Sequence, residues 1–294
     1  MLKSGLRGKG RRLRAWVALA GALLVLALAL GGGPDLARAS SGRTRGETAR
    51  ISGSTTLLPI TARAAELYKQ KYPREVITVS GTGSGEGLKS LIDGVVDLAA
   101  SSRDLKEVEK KRAQLAGVEL KRDVVARDGL AVIVHPANPV TNLSLAQLRG
   151  VYLGEIRNWR ELGGEDRVIV PINRDSSSGT FEMWVEMILR GQKHRPDAQV
   201  QSSSGAVAYA VAGNRHAIGY VGLGFLDGPV KVVAVDGVKA SLSAVRSGEY
   251  PVSRPLYIFS RSDAKEAARK FLRFLLGPEG QALLGAEGFA PAGS

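Results

Sequence analysis

Three times in this chain a short β-rich run breaks into a turn of glycine, serine and threonine, and a helical pattern begins at once. The stretches are "ISGSTTLLP" (51–59), "VSGTGSGEGLK" (79–89) and "NRDSSSGTF" (173–181). A strand that feeds a helix through a tight turn, repeated along the chain, predicts α/β layers with helices packed on a mostly parallel sheet. The same turns fix where chemistry can sit. The first N–H groups of a helix have no intrahelical partner, and the macrodipole places partial positive charge there. Glycines let a ligand approach the backbone, and hydroxyls donate to an oxyanion. A single turn of this kind is more simply a capped helix. Three of them at the carboxyl ends of strands face the crevice where open α/β sheets hold their ligands.

The remaining pattern follows the same alternation. Helical periodicity runs over residues 56–72, with Pro59 in the first turn where its missing N–H is harmless. Further helices are predicted over 84–94, 144–154, 179–191 and 263–284, the last broken at Gly277-Pro278. Residues 104–117 read as a helix opened by Asp104, with Glu107 three residues on as in a capping box. Strands are predicted over 76–81, 95–102, 123–136, 167–174, 217–226, 230–237 and 254–260. The polar stretch 40–50 reads as a disordered lead-in.

Residues 1–39 are of another kind. Six basic residues precede an apolar run, and "ARA" precedes Ser40, the pattern of a secretory signal peptide cleaved after Ala39. The chain has no cysteine, so neither a disulfide nor a lipid-bearing cysteine is expected, and the predicted location is periplasmic or secreted. Of the formal charge of +13, the leader's seven Lys/Arg and one Asp account for six, leaving +7 on the remainder. That balance suits an anionic partner. Nucleic acid is disfavoured, because no stretch interleaves aromatics with basic residues.

Among candidate site residues, Arg174 is the strongest, since a guanidinium engages two oxyanion oxygens at once. A fourth loop, "ASSRDL", sets Ser101, Ser102 and Arg103 ahead of a helix. Competing motifs fail. In "GTGSGEGLKS", Leu88 separates Gly87 from Lys89, which breaks the P-loop pattern. No serine lies in G-x-S-x-G, and His135, His194 and His216 are scattered, so no metal site and no cofactor are expected. Trp159 stands in the polar stretch 154–164. It can pack beneath its own loop or belong to a docking rim.

"ISGSTTLLPI", "GTGSGEGLKSLIDGVVDLAASSRDL", "DGLAVIVHPANPVTNLSLAQLRGVYLGEIRNW", "NRDSSSGTF" and "AIGYVGLGFL", in this order, resemble the phosphate-binding protein of the high-affinity phosphate ABC transporter in its shorter bacterial form. The resemblance implies a two-lobed periplasmic-binding-protein fold of α/β lobes, with the anion clamped between them. Lobe I is expected at 48–132 plus 224–294, and lobe II at 133–223. The family's anion contacts fall on Ser54, Thr55, Thr56, Ser84, Ser102 and Arg103 in lobe I, and on Arg174, Ser178, Gly179 and Thr180 in lobe II. The resemblance further implies reversible capture rather than catalysis, a monomer, and a membrane permease as partner. Well-known members place a proton-accepting carboxylate at the position that is Arg103 here. Their other acidic neighbour falls on Ser176. Asp175 is the expected substitute, with Asp104 the alternative, although Asp104 also suits a helix cap. A binding protein for sulfate, molybdate or a phosphonate, a hydrolase using a cleft serine, and a secreted phosphate sensor are the rival readings.

Overall fold

The computed structural model describes residues 47–292, and the expected alternation runs through them. The signal-peptide segment lies outside the described residues. The first half comprises β1 (Thr48–Gly53), α1 (Leu58–Lys71), β2 (Val76–Ser80), α2 (Ser84–Ile92), β3 (Leu98–Ser101), α3 (Glu107–Leu115) and the long strand β4 (Leu120–Val134). It continues through β5 (Asn142–Leu143), α4 (Leu145–Leu153), β6 (Val170–Arg174), α5 (Gly179–Met187), β7 (Gln199–Gln201), α6 (Ser204–Ala212) and β8 (Ala217–Gly222). The chain closes with β9 (Lys231–Val235), α7 (Leu242–Ser247), β10 (Ser253–Arg261), α8 (Glu266–Leu276), α9 (Pro278–Ala286) and β11 (Ala290–Pro291).

The main strand order is β2-β1-β3-β10-β4-β8-β6-β7. Helix crossovers make β1–β2, β1–β3, β6–β7 and β6–β8 parallel. The centre is antiparallel, because β10 returns against β3 and β4, and β8 against β4. Strand β4 serves two partners in succession. Residues up to Gly129 pair with β10, and Leu130 to Val134 pair with β8. Two large apolar clusters flank this change of partner. One gathers Leu130, Tyr152, Trp184, Tyr220 and Tyr250, with Trp184 stacked on Tyr220 at 4.0 Å between ring centroids. The other gathers Ile51, Tyr68, Leu98, Ile258 and Phe271.

Local chemistry explains most element ends. Ser144 accepts from Gln147 N at 3.1 Å while Gln147 Oε1 accepts from Ser144 N at 2.8 Å, a reciprocal cap that starts α4. Pro278 opens α9 after the predicted break at Gly277.

Three expectations need correction. The lead-in ends before Thr48, since residues 48–50 belong to β1. Ala49 and Ile51 are buried and Thr48 and Arg50 exposed, so an alternating strand had read as polar chain. Helix α3 begins at Glu107, not Asp104. Glu109 Oε2 accepts from Lys106 N at 2.8 Å, whereas Asp104 accepts from Leu105 N at 2.7 Å and pairs with Arg122. Helices α6 and α7 and strand β7 were not anticipated. Of the two readings of Trp159, the structure bears out packing: it is buried, its Nε1 donating to His216 O at 2.8 Å, and it does not present its ring at a docking rim. No helix among the described residues is long and apolar enough to cross a membrane.

Candidate anion-binding site

Parallel strands place their carboxyl ends side by side, and the helices that follow therefore start close together. The first residues of α2, α5 and α6 and the turn before α1 meet in this way. Ser54 Oγ lies 3.2 Å from Ser102 Oγ, which is 3.3 Å from Ser84 Oγ, the opening residue of α2. Thr56 Oγ1 lies 3.0 Å from Thr180 Oγ1 of α5 and 3.4 Å from Ser204 Oγ of α6. Thr55 Oγ1 is also 3.4 Å from Ser204 Oγ. All of these side chains are buried.

Burying so many hydroxyls is unfavourable unless each finds a partner. Their mutual distances of 3.0–3.4 Å exceed the usual O–H···O separation of about 2.7–2.8 Å, so they satisfy one another poorly. An acceptor with many lone pairs, set among them, would satisfy them better.

The helix ends add N–H donors. Ser178 caps α5 by accepting from Phe181 N at 3.2 Å, leaving the N–H groups of Gly179 and Thr180 without a helix carbonyl. Ser203 caps α6 likewise, accepting from Ala206 N at 3.1 Å. Gly179 makes the convergence possible. A Cβ on it would stand 2.4 Å from Ser84 Oγ and 2.9 Å from Ser102 Oγ, closer than any side chain tolerates.

Arg174 closes the cluster. It is the last residue of β6 and is 2 % exposed. Its Nη1 donates to Ser204 Oγ at 3.3 Å, while Nε and Nη2 donate to the carbonyls of Gln201 and Ser202 at 3.1 Å. Asn173 Oδ1 accepts from Arg174 N at 2.9 Å and from the Tyr220 hydroxyl, which fixes the backbone beneath the guanidinium. Burial pulls its pKa down from the ordinary arginine value, and the Asp175 carboxylate opposes that shift.

The structure thus brings together Ser54, Thr55, Thr56, Ser84, Ser102, Arg174, Ser178, Gly179 and Thr180. It places the other two predicted ligands differently. Arg103 is buried, but its guanidinium is engaged by both oxygens of Glu109 at 2.7 Å and by Glu182 rather than by the hydroxyls. The cause is two acidic residues at helical positions that outcompete a neutral cluster for the charge. Asp175 accepts from Ser177 N at 2.9 Å and faces Arg174 Nη2 at 3.3 Å, so its contacts are to the arginine and its own loop. Asp104 lies with Arg122 and is far from the cluster's contacts.

Sequence reasoning missed Ser204 and Arg254. Ser204 was legible: residues 202–205 spell Ser-Ser-Ser-Gly, the tetrapeptide that also precedes α5 at 176–179. Arg254, buried on β10 and donating to Thr56 Oγ1 at 3.3 Å, gave no local signal.

The sequence profile of the PBP superfamily domain matches residues 38–279. The Phosphate-binding protein PstS of Bacillus subtilis is 32% identical over 266 residues, covering 87% of this chain and 86% of its own. The chain belongs to the phosphate-binding protein family of the PBP superfamily. Solved structures agree with that placement. A Clostridium perfringens protein crystallised with bound phosphate superposes with a TM-score of 0.79 at 37% identity, covering 84% of this chain and 100% of that one. An ABC-type phosphate transport receptor from Vibrio cholerae gives a TM-score of 0.68 at 33% identity, covering 83% and 100%. The fold is accordingly that of the family, α/β with a curled sheet flanked by helices.

Proposed function

We propose that this protein is an extracytoplasmic receptor that binds inorganic phosphate reversibly and delivers it to the membrane permease of a phosphate ABC transporter. The observation that carries the reading is the buried convergence of hydroxyls from five chain segments with Arg174. It is a donor-rich, tetrahedrally accessible environment of the kind an oxyanion needs, in a chain whose relatives bind phosphate.

The ligand set is Ser54, Thr55, Thr56, Ser84, Ser102, Arg174, Ser178, Gly179 and Thr180, joined by Ser204. The lobe bounds expected from the sequence, 48–132 with 224–294 and 133–223, shift, because β9 pairs with the end of β4 and residues up to Val252 pack in the cluster of Tyr152 and Trp184. Residues 48–129 with 253–292 form one lobe and 130–252 the other, with the phosphate between them. The crossings fall where β4 changes partner at Gly129 and where the chain returns into β10 at Ser253. Closure brings α5 and α6 down upon α2 and the turn before α1. Segment 1–39 directs export. The chemistry is capture without bond breaking, in keeping with relatives that are named as phosphate-binding proteins.

The magnitudes suffice. Charge-assisted hydrogen bonds contribute about 1.5–3 kcal/mol each, against about 0.3–1 kcal/mol for each helix dipole. A micromolar dissociation constant needs only about 8 kcal/mol. Directed N–H and O–H groups with Arg174 therefore dominate, even after the costs of dehydration and closure. Isothermal titration with phosphate, with sulfate as competitor and a chromogenic phosphate ester as hydrolysis probe, tests the reading. Phosphate binding that sulfate does not displace, without ester turnover, is the expected result. Tighter binding of sulfate, or ester cleavage, would replace it.

A further inference from the structure

We infer that Arg254, held by Asp128, is a second cationic element of the anion site that positions and polarises the Thr56 hydroxyl. The inference rests on the phosphate reading above and assigns a role to two residues outside the family-derived ligand set.

Asp128 and Arg254 are direct partners across the antiparallel β4–β10 ladder. Neither side chain is exposed to solvent at all, and Arg254 Nη2 donates to Asp128 Oδ2 at 3.0 Å. A buried ion pair is a poor device for stability alone, because well-packed apolar residues of similar size do as well or better. Its other contacts point to the site. Arg254 Nη2 donates to Thr56 Oγ1 at 3.3 Å, and Nη1 donates to Ser102 O at 3.3 Å, so one guanidinium touches two of the loops that carry the converging hydroxyls. Its Nε is buried and has no hydrogen-bond partner. A guanidinium placed only to tie strands together would be expected to use that donor.

Asp128 is itself anchored. Its Oδ1 accepts from Leu223 N at 3.0 Å, just beyond β8. The packing there is tight, since a Cβ on Gly222 would lie 2.7 Å from Asp128 Oδ2 and 3.0 Å from Thr56 Cγ2. Burial pushes the Asp128 carboxyl up and pulls Arg254 down, and the attraction between them opposes both shifts. The nearby Arg174 charge lowers Arg254 further, which places the two cations within electrostatic reach of one another and of Tyr220.

The consequence for Thr56 is directional. A hydroxyl has one proton, and an oxygen that accepts from Arg254 must aim that proton elsewhere. Around Thr56 Oγ1 the remaining directions lead to Thr180, to Ser204 and into the cluster. Arg254 thereby sets Thr56 as a donor toward an anion, and its positive charge strengthens the donation in a site screened from water. Asp128 accepts from the same Nη2 that donates to Thr56 and holds the guanidinium in place.

Two variants of the full chain separate this from a purely structural role. Arg254→Lys keeps the charge. The double variant Asp128→Asn, Arg254→Gln keeps a neutral hydrogen-bonded pair of similar shape. Phosphate affinity is measured by calorimetry at a pH below and a pH above the second ionisation of phosphate, with thermal melts of the ligand-free proteins. Expected is a loss of about tenfold or more in the neutral pair, larger for the dianion than for the monoanion, with Arg254→Lys within about threefold of wild type. A neutral pair that binds both phosphate ions as wild type does would overturn the inference. So would an equal loss for both ions, or a folded Arg254→Lys protein as weak as the neutral pair. Should the neutral pair fail to fold, Arg254→Lys alone decides by the same criterion. Absence of phosphate binding in the wild-type protein would remove the phosphate reading itself, a result distinct from wild-type binding that is indifferent to these substitutions.

Discussion

Arg174 shows how a single residue can be committed in advance to a ligand. Two carbonyls, one serine and Asp175 hold its guanidinium in one orientation, so little side-chain entropy is left to lose on binding. Arg174→Ala removes up to two charge-assisted bonds of about 1.5–3 kcal/mol each, and a loss of at least about a hundredfold in phosphate affinity is expected. Calorimetry reads the affinity, and an unchanged circular dichroism spectrum confirms that the fold survives. Asp175 acts in the structure through Arg174 and Ser177. Asp175→Asn is therefore expected to weaken phosphate and sulfate by a similar factor in competition titrations. A loss confined to phosphate would instead make Asp175 the acceptor of the phosphate proton.

At the scale of elements, the site is an encounter of helix ends, and its tightest point is Gly179 at the start of α5. An added methyl there meets Ser84 and Ser102, which belong to other segments, while leaving the helix itself undisturbed. Gly179→Ala should weaken phosphate by more than about tenfold yet shift the melting temperature of the free protein by only a few degrees. A second contact joins α5 to the loop after β3. Glu182 takes Arg103 on one oxygen and Lys106 at 2.9 Å on the other, and Arg103 stays paired with Glu109. Burial pulls Arg103 down, but the two carboxylates more than offset it and its pKa rises. Glu182→Gln leaves Arg103 one carboxylate, so the fold should persist while the closed arrangement loosens. Stopped-flow measurements should then show phosphate release several-fold faster, with association changed less.

At the scale of the whole molecule, β4 is the organising element. Its first part belongs with β10 and its last five residues with β8, and the two large apolar clusters lie on either side of that change. The antiparallel centre lets the chain cross twice, at Gly129 and into β10 at Ser253, and Asp128 stands beside both crossings. The same residues that join the sheets therefore border the site. A ligand seated there touches groups from both sequence halves, so binding and the arrangement of the halves are coupled through a few contacts rather than through the cores.

The alternation of strands and helices, three of the four helix ends at the site, Arg174 and the break at Gly277 were all written in local sequence, because turn chemistry and helix starts depend on residues a few positions apart. Ser204 was equally local, in a repeated Ser-Ser-Ser-Gly, and was passed over because the strand before it has only three residues. Strand β1 was half hidden by its exposed alternate residues. Arg103 and Arg254 could not be assigned from sequence. Whether a guanidinium faces an anion or a carboxylate depends on which chains pack against it. Glu182 lies 79 positions from Arg103 by number, and Arg254 reaches Thr56 at a separation of 198. Sequence alone pointed to the turns proposed to hold the oxyanion, through the unpaired N–H groups of helix starts. Tertiary packing alone decided which charges reach it, because Coulomb attraction follows distance in space.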